Sequence, residues 1–248
     1  MSNNTAALVS ETDEFRFCAP LAELMTARQL KGRTGKKFEG LAALSSRNNL
    51  VVLRNLCLEL KPKRTLEIGL SFGGSCLVFT STHRDLGHAP ERQHVALDPF
   101  QVTVWDDCGL LLTEQAGLSA YLDFRPAFSS LELPALLREG RHFDLVYIDG
   151  SHLFEDVFVD AYFIIRLLDE GGVVAFDDST DPHVAKVLRF LRANLTDQLQ
   201  EIDLSVYRPP TRRGFSYRLA RRLGKVQLTA FRRVGPPERD WNAAFHSF

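Results

Sequence analysis

The chain has 248 residues, 45% of them hydrophobic and 25% charged. That is enough apolar mass for one sizeable core, and it excludes disorder over most of the length. Thirty Lys and Arg against thirty-one Asp and Glu leave a formal net charge of -1, so a nucleic-acid partner is not expected. Cys18, Cys57, Cys76 and Cys108 are widely spaced with no CxxC pair. This argues against a disulfide scaffold or a zinc ribbon and suits a reducing compartment. The polar start, Met-Ser-Asn-Asn-Thr, lacks the pattern of a signal peptide, and the apolar runs fall short of the ~20 residues of a membrane span. The expected address is therefore the cytoplasm, with no membrane partner.

Residues 1–45 read as an N-terminal helical extension and residues 46–248 as the main domain. Leu21 to Leu30 has helical spacing. The stretch Lys31 to Lys37, with two glycines and four cations, reads as a solvated linker or as a lid over a nearby site. A helix is predicted over Asn48–Leu60, stopped by Pro62. An alternating rhythm follows. Strands are predicted at Arg64–Gly69, His94–Asp98, Ala120–Arg125, Phe143–Asp149 and Val173–Asp178. Helices fall between them: from Gly73 to Thr80, Trp105–Gly117, Leu131–Leu137 and Phe154–Leu168. Pro182–Asn194 is a further helix, with Asp181 as its cap. Leu199–Tyr207 and Val226–Arg233 close the chain as a strand pair. Strands without polar alternation, each followed by a helix, predict a three-layer α/β sandwich around a mostly parallel seven-stranded sheet.

Several of these strands end on acids: Asp98, Asp149 and Asp177, with Glu67 just before the first turn. Ligands of open parallel sheets sit at the carboxyl ends of strands. Acids gathered there are costly unless donors or positive charge meet them. The first turn reads Glu67-Ile68-Gly69-Leu70-Ser71-Phe72-Gly73-Gly74-Ser75. Its ExGxxxG spacing departs from the GxGxxG of dinucleotide sites and disfavours a nicotinamide enzyme. A tight strand–helix turn without a ligand is the bland alternative.

The glycine turn resembles the first motif of class I S-adenosylmethionine-dependent methyltransferases, whose Rossmann-like fold the strand pattern would then follow. The resemblance implies that Glu67, Gly69, Gly73 and Ser75 border the methionine end of S-adenosylmethionine. Asp98, thirty-one residues after Glu67, matches the family's ribose-binding acid. Pro99 and Phe100 then lie against adenine, with Phe128 and Ser129 at its edge. In that third segment, Ala127-Phe128-Ser129, a family-like glycine is absent and Pro126 stands nearby.

Asp149 and the pair Asp177-Asp178 end strands expected to be neighbours. Three carboxylates together require a cation or a proton, and hard oxygen ligands suit Mg²⁺, Mn²⁺ or Ca²⁺ rather than zinc. Consecutive strand residues point to opposite faces, so Asp177 and Asp178 converge only where the strand has bent into its loop. The layout is similar to that of metal-dependent O-methyltransferases of the catechol and sugar-modifying types. That resemblance implies Mg²⁺, or another divalent cation, on Asp149, Asp177 and Asp178. It also implies His152 as the general base beside the catalytic Asp149. The implied substrate is a small hydroxylated molecule, a sugar or glycosylated natural product first and a phenol second. The alternatives are a metal-independent methyltransferase and a non-catalytic S-adenosylmethionine-binding partner protein; the sequence leaves a homo-oligomer open.

Three further readings concern the remaining motifs. Between Leu204 and Pro237 there are nine cations and no acid. This is either a solvated hairpin or a patch for an anionic partner. His83 and His88 read as exposed residues of a polar connection. Cys76, early in the helix after the glycine turn, stands where a helix N-terminus lowers a thiol pKa.

Overall fold

The computed structural model describes residues 14–209, 219 and 226–248. Helix α1 (Ala19–Ala27) leads into a hairpin, β1 (Gln29–Lys31) and β2 (Lys37–Glu39), and then into α2 (Arg47–Leu60). The Ser46 hydroxyl caps α2 by accepting from the Asn49 N–H at 3.2 Å, and Lys61 ends it in the left-handed region just before Pro62. The alternating part follows as β3 (Thr65–Ile68), α3 (Gly74–Asp85), β4 (His94–Leu97), α4 (Cys108–Gln115), β5 (Leu122–Arg125), α5 (Ser129–Arg138) and β6 (Phe143–Ile148). It continues as α6 (Phe154–Leu167), β7 (Leu168–Phe176), α7 (Pro182–Asn194), β8 (Leu199–Glu201) and β9 (Thr229–Arg233). The capping oxygen of Asp181 accepts from His183 N–H at 2.8 Å, and Pro182 opens α7.

The seven-stranded sheet runs β5-β4-β3-β6-β7-β9-β8. The five strands from β5 to β7 are parallel, and β9 inserts antiparallel between β7 and β8. The chain winds outward from β3 to β5, then returns to place β6 on the other side of β3. That reversal leaves a crevice at the carboxyl ends of β3 and β6, where Ile68 pairs with Ile148. One more residue along each strand brings Gly69 beside Asp149. No helix among the described residues is long and apolar enough to cross a membrane.

Two apolar layers sandwich the sheet. On one face Leu133, Leu136, Val157, Ile164, Val187 and Leu191 pack from α5, α6 and α7. On the other, Leu50, Leu53, Leu77 and Phe79 of α2 and α3 meet Tyr147 and Ala175. Phe15, Leu21 and Leu24 belong to that same cluster, so packing runs unbroken across the expected boundary at residue 45.

Where the structure departs from the sequence reading, local causes are visible. The 31–37 stretch is the turn of a hairpin whose partner is Asp106, described below. The helix expected from Trp105 starts at Cys108 because Asp106 and Asp107 take positive φ (50° and 56°). The segment expected as a strand over Leu199–Tyr207 is one only to Glu201, and its end is a 3-10 turn over Leu204–Tyr207. Most of the basic stretch lies outside the described residues. Of the rest, Arg232 donates to the Gly171 carbonyl at 3.0 Å and Arg233 to the Leu168 carbonyl, tying β9 to the start of β7.

Candidate functional site at the carboxyl edge of the sheet

The glycine turn is built for close approach. Gly69 has φ +95°, and a Cβ there would lie 2.2 Å from the Asp149 carbonyl oxygen. Gly73 has φ +84°, and a Cβ there would meet the Gly109 Cα of α4 at 2.8 Å. Glu67 is fully buried beneath the turn. It accepts from Ser75 Oγ on one oxygen and lies 3.0 Å from His94 Nε2 on the other. From His94 the chain of contacts continues through Thr65 Oγ1 to His83 Nε2, at 2.9 and 2.8 Å. His83 is thus 1% exposed on α3 and not in an open connection. Burial, with the charges of His94 and His88, lowers its pKa to about 3. Cys76 also reverses the sequence expectation: burial, with the Glu67 charge beside it, pushes the thiol well above its ordinary value.

Asp98 follows β4 and is nearly buried. Its carboxylate accepts from Ser71 N–H at 2.8 Å, Phe100 N–H at 2.7 Å and Gln101 Nε2 at 3.0 Å. Gln101 also donates to the Ser71 carbonyl at 2.7 Å. It therefore locks the acid of the second turn to the glycine turn. Gln101 is 1% exposed, and its Oε1 has no partner. Pro99 leads to Phe100, whose exposed ring lies edge-on to that of Phe128 with centroids 5.7 Å apart. Ser129, next to Phe128, opens α5. An exposed aromatic pair beside an acid held by N–H donors can take a planar, hydroxylated ligand such as a nucleoside.

The acid cluster lies on the other side of the crevice. Continuing the Ile148–Phe176 pairing sets Asp149 opposite Asp177. Period two puts both on the face that carries Tyr147. The Tyr147 hydroxyl donates to Asp149 Oδ2 at 3.1 Å and also reaches Asp177 Oδ2. Asp177 is 4% exposed, and its other oxygen accepts from Asn49 Nδ2 at 2.7 Å and from Asp178 N–H at 2.7 Å. Burial, opposed by these bonds, still raises the Asp177 pKa. Asp149 is pushed well above the usual carboxylate range, first by burial and then by the Asp177 charge.

Asp178 takes φ +46° and turns the other way. Its Oδ2 lies 3.0 Å from His152 Nε2, and its Oδ1 accepts from Gln227 Nε2 at 3.0 Å. One ligand atom each from Asp149, His152 and Asp178 lies within 4.8 Å of the others. The two carboxylate oxygens suit a hard divalent cation such as Mg²⁺ or Mn²⁺, with the His152 imidazole beside them against Asp178. All three expected acids are thus neighbours, but the strand bend faces Asp178 toward His152 while Asp177 stays beneath Asp149.

The N-terminal segment supplies residues that the motifs did not suggest. Ser45 Oγ donates to Asp149 Oδ2 at 2.8 Å, and the Ala43 carbonyl accepts from Ser71 Oγ at 3.1 Å. Asp106, 9% exposed, accepts from Thr34 N–H, Thr34 Oγ1 and Lys36 N–H at 3.0 to 3.3 Å. Phe38 of the hairpin packs on Phe72 of the glycine turn at 5.3 Å, and Phe72 on Trp105 at 5.0 Å. The hairpin is therefore strapped to the glycine turn and to the loop after β4. Tyr147 carried a readable signal, since it shares a strand face with Asp149. Ser45, Asn49 and Gln101 carried none.

Residues 66–179 match the family model described as "Methyltransferase domain". No curated protein matches the chain significantly. Among solved structures, a methyltransferase of Podospora anserina bound to SAH is 17% identical with a TM-score of 0.61, over 87% of this chain and 88% of that one. The O-methyltransferase TomG of Streptomyces achromogenes, involved in tomaymycin synthesis and solved with SAM, is 19% identical with a TM-score of 0.58, over 79% and 83%. An O-methyltransferase of Bacillus cereus in complex with SAH is 21% identical with a TM-score of 0.53, over 65% and 75%. At these identities the likeness is one of fold.

Proposed function

We propose that this chain, a methyltransferase by the domain it carries over residues 66–179, moves the methyl group of S-adenosylmethionine onto a hydroxyl of a small molecule with help from a divalent cation. The observation that carries the reading is one of place. At a single sheet edge, the Gly69 turn and Asp98 stand across one crevice from Asp149, Asp178 and His152.

S-adenosylmethionine, when bound, supplies an electrophilic methyl and its thioether leaving group. A divalent cation, when bound, lowers the pKa of a hydroxyl it touches. The chain's residues then have separate tasks. Gly69 and Gly73 let the turn pack against Asp149 and Gly109 and so set the shape of the turn that borders the methionine end, and Ser75 fixes Glu67 beneath it. Asp98 accepts from the ribose hydroxyls, and the exposed Phe100 and Phe128 rings lie beside the base. Asp149 and Asp178 hold the cation. Asp177, bound to Tyr147 and Asn49, fixes Asp149 from below. His152 is 48% exposed, with Nε2 toward Asp178, so Nδ1 is left to take the hydroxyl proton. In-line displacement needs alignment above all, and the buried frame beneath these side chains provides it. The acceptor class that suits such a cluster is a sugar or glycosylated natural product, with a phenol next.

A second reading omits the cation. The 3.0 Å approach of His152 to Asp178 is that of a base oriented by a carboxylate, and such a pair can deprotonate an alcohol unaided. Transfer of labelled methyl from S-adenosylmethionine to a panel of sugars, glycosides and phenols separates the readings. The proposal expects transfer to vanish in chelator and to return with Mg²⁺. Undiminished transfer in chelator leaves the His152–Asp178 reading. S-adenosylhomocysteine binding without transfer to any acceptor leaves a binding protein.

A further inference from the structure

A separate cavity of about 250 Å³ lies between α6, the end of α7 and the chain around Pro237. No residue of the sheet-edge site lines it. It reaches Arg166, about 18 Å along α6 from Phe154, the first residue of that helix. The third wall is held in place by the end of α7 and the turn after it. Gln198, 2% exposed, donates from Nε2 to the Pro236 carbonyl at 2.8 Å. Asn194 exchanges two hydrogen bonds with the His246 backbone, at 2.9 and 2.8 Å. The Phe248 ring meets Phe190 of α7 with centroids 5.2 Å apart.

The walls are mostly apolar: Phe158, Ala161 and Ile165 of α6 against Phe190, Leu191 and Leu195. The charge is of one sign. Arg166 and Arg239 line the cavity and no acid does; Glu238 and Asp240 flank Arg239 in sequence but lie outside the lining. Arg166 donates to the Tyr162 carbonyl at 2.7 Å and sets its guanidinium over the Tyr162 ring at 3.7 Å. Arg239 donates through Nη2 to the Ala244 carbonyl at 2.8 Å, and its Nε is buried with no hydrogen-bond partner. A buried donor of a permanent cation is costly to leave unmet. The fork of donors on a guanidinium matches the two oxygens of a carboxylate. An apolar cavity with a few polar groups of one kind is the ordinary form of a small-molecule site.

We propose that this cavity binds a small organic acid, with its ring or short alkyl chain between α6 and α7 and its carboxylate at Arg239 and Arg166. The volume is below the roughly 300–1,000 Å³ that drug-sized ligands take, so the body is one ring or a short chain. The site does not depend on the methyl-transfer reading.

Calorimetric titration of the full chain with 3-phenylpropionate and octanoate tests it. Two controls accompany them: 3-phenylpropionamide keeps the ring without the charge, and acetate keeps the charge without the body. Wild type is expected to bind one equivalent of either acid at least tenfold more tightly than the amide, and to leave acetate unbound. Arg239→Gln is expected to weaken both acids by at least tenfold and to leave the amide unchanged. If that variant does not fold, Arg166→Gln reports the same selective loss. Asp149→Ala is expected to keep full acid binding. Binding that survives both arginine substitutions, or that disappears in Asp149→Ala, would place the acid elsewhere and overturn the proposal. So would an equal affinity for acid and amide, or no uptake of either acid at millimolar concentration. A dimer in sedimentation that Tyr162→Arg dissociates would overturn it as well, because a second copy would then cover this face.

Discussion

Asp98 at the end of β4 and Asp149 at the end of β6 stand on the same sheet edge, yet their carboxylates are met differently. Asp98 receives three N–H donors, two from backbone and one from Gln101. Asp149 receives the hydroxyls of Ser45 and Tyr147 and faces Asp177 and Asp178. Fixed N–H dipoles meet a negative charge where it stands. Hydroxyls and further carboxylates leave the charge to be met by a proton or a cation. The Asp98 carboxylate is therefore satisfied within the chain, whereas on the proposed reading the acid cluster is completed by a cation. The two are joined at one backbone contact, Gly69 against Asp149.

That contact is where the comparison breaks most completely. Gly69→Ala places a Cβ 2.2 Å from the Asp149 carbonyl at φ +95°. It is expected to lower stability by about 3 kcal/mol and to abolish both S-adenosylhomocysteine binding and methyl transfer. Urea unfolding and calorimetry would read it, and wild-type values in both would refute the close approach.

The halves separate in a pair of smaller lesions. Asp98→Ala should weaken S-adenosylhomocysteine by about 10- to 100-fold, from loss of charged hydrogen bonds. Asp149→Ala should leave that affinity within about threefold while methyl transfer falls by about a thousandfold. Equal losses of cofactor affinity in the two variants would mean that the site is not divided. His152→Ala sharpens the acid side alone. Its kcat should fall by about 100-fold with cofactor affinity unchanged, and a normal kcat would remove His152 as the base.

An effect on stability alone belongs to the buried histidine below the glycine turn. The pKa of His83 is lowered to about 3, first by burial. The folded chain thus refuses a proton that the unfolded chain accepts near 6.5. Its contribution is whole above pH 6.5 and is lost as pH falls toward 3, about 3 kcal/mol by pH 4. His83→Gln should flatten acid unfolding over that range. An unchanged acid midpoint would contradict the burial of this ring.

Much of the cofactor side is legible in the sequence because it is local. A short apolar strand, a glycine turn and an acid at the next strand end lie within one crossover, Thr65 to Asp98, where periodicity and turn chemistry act directly. The acid side depends on register. That Asp177 faces Tyr147 while Asp178 faces His152 follows from a left-handed residue at the end of β7, which an Asp-Asp pair does not announce. Least legible is the N-terminal segment. Ser45, Asn49 and the Thr34–Lys36 turn bind acids 70 to 128 residues away, and a run of cations and glycines looks solvated until Asp106 is seen beneath it. His83 and Cys76 mislead for the same reason. Their helix α3 is buried almost end to end, and burial outweighs both the polar surroundings and the helix N-terminus.

Binding of Mn²⁺ followed by electron paramagnetic resonance tests the central claim most directly, because it asks for the missing charge without knowing the acceptor. The account predicts one Mn²⁺ per chain, lost in Asp149→Ala and in Asp178→Ala and kept in Asp98→Ala. No bound Mn²⁺ in wild type, or binding that survives both acid-side substitutions, would contradict it.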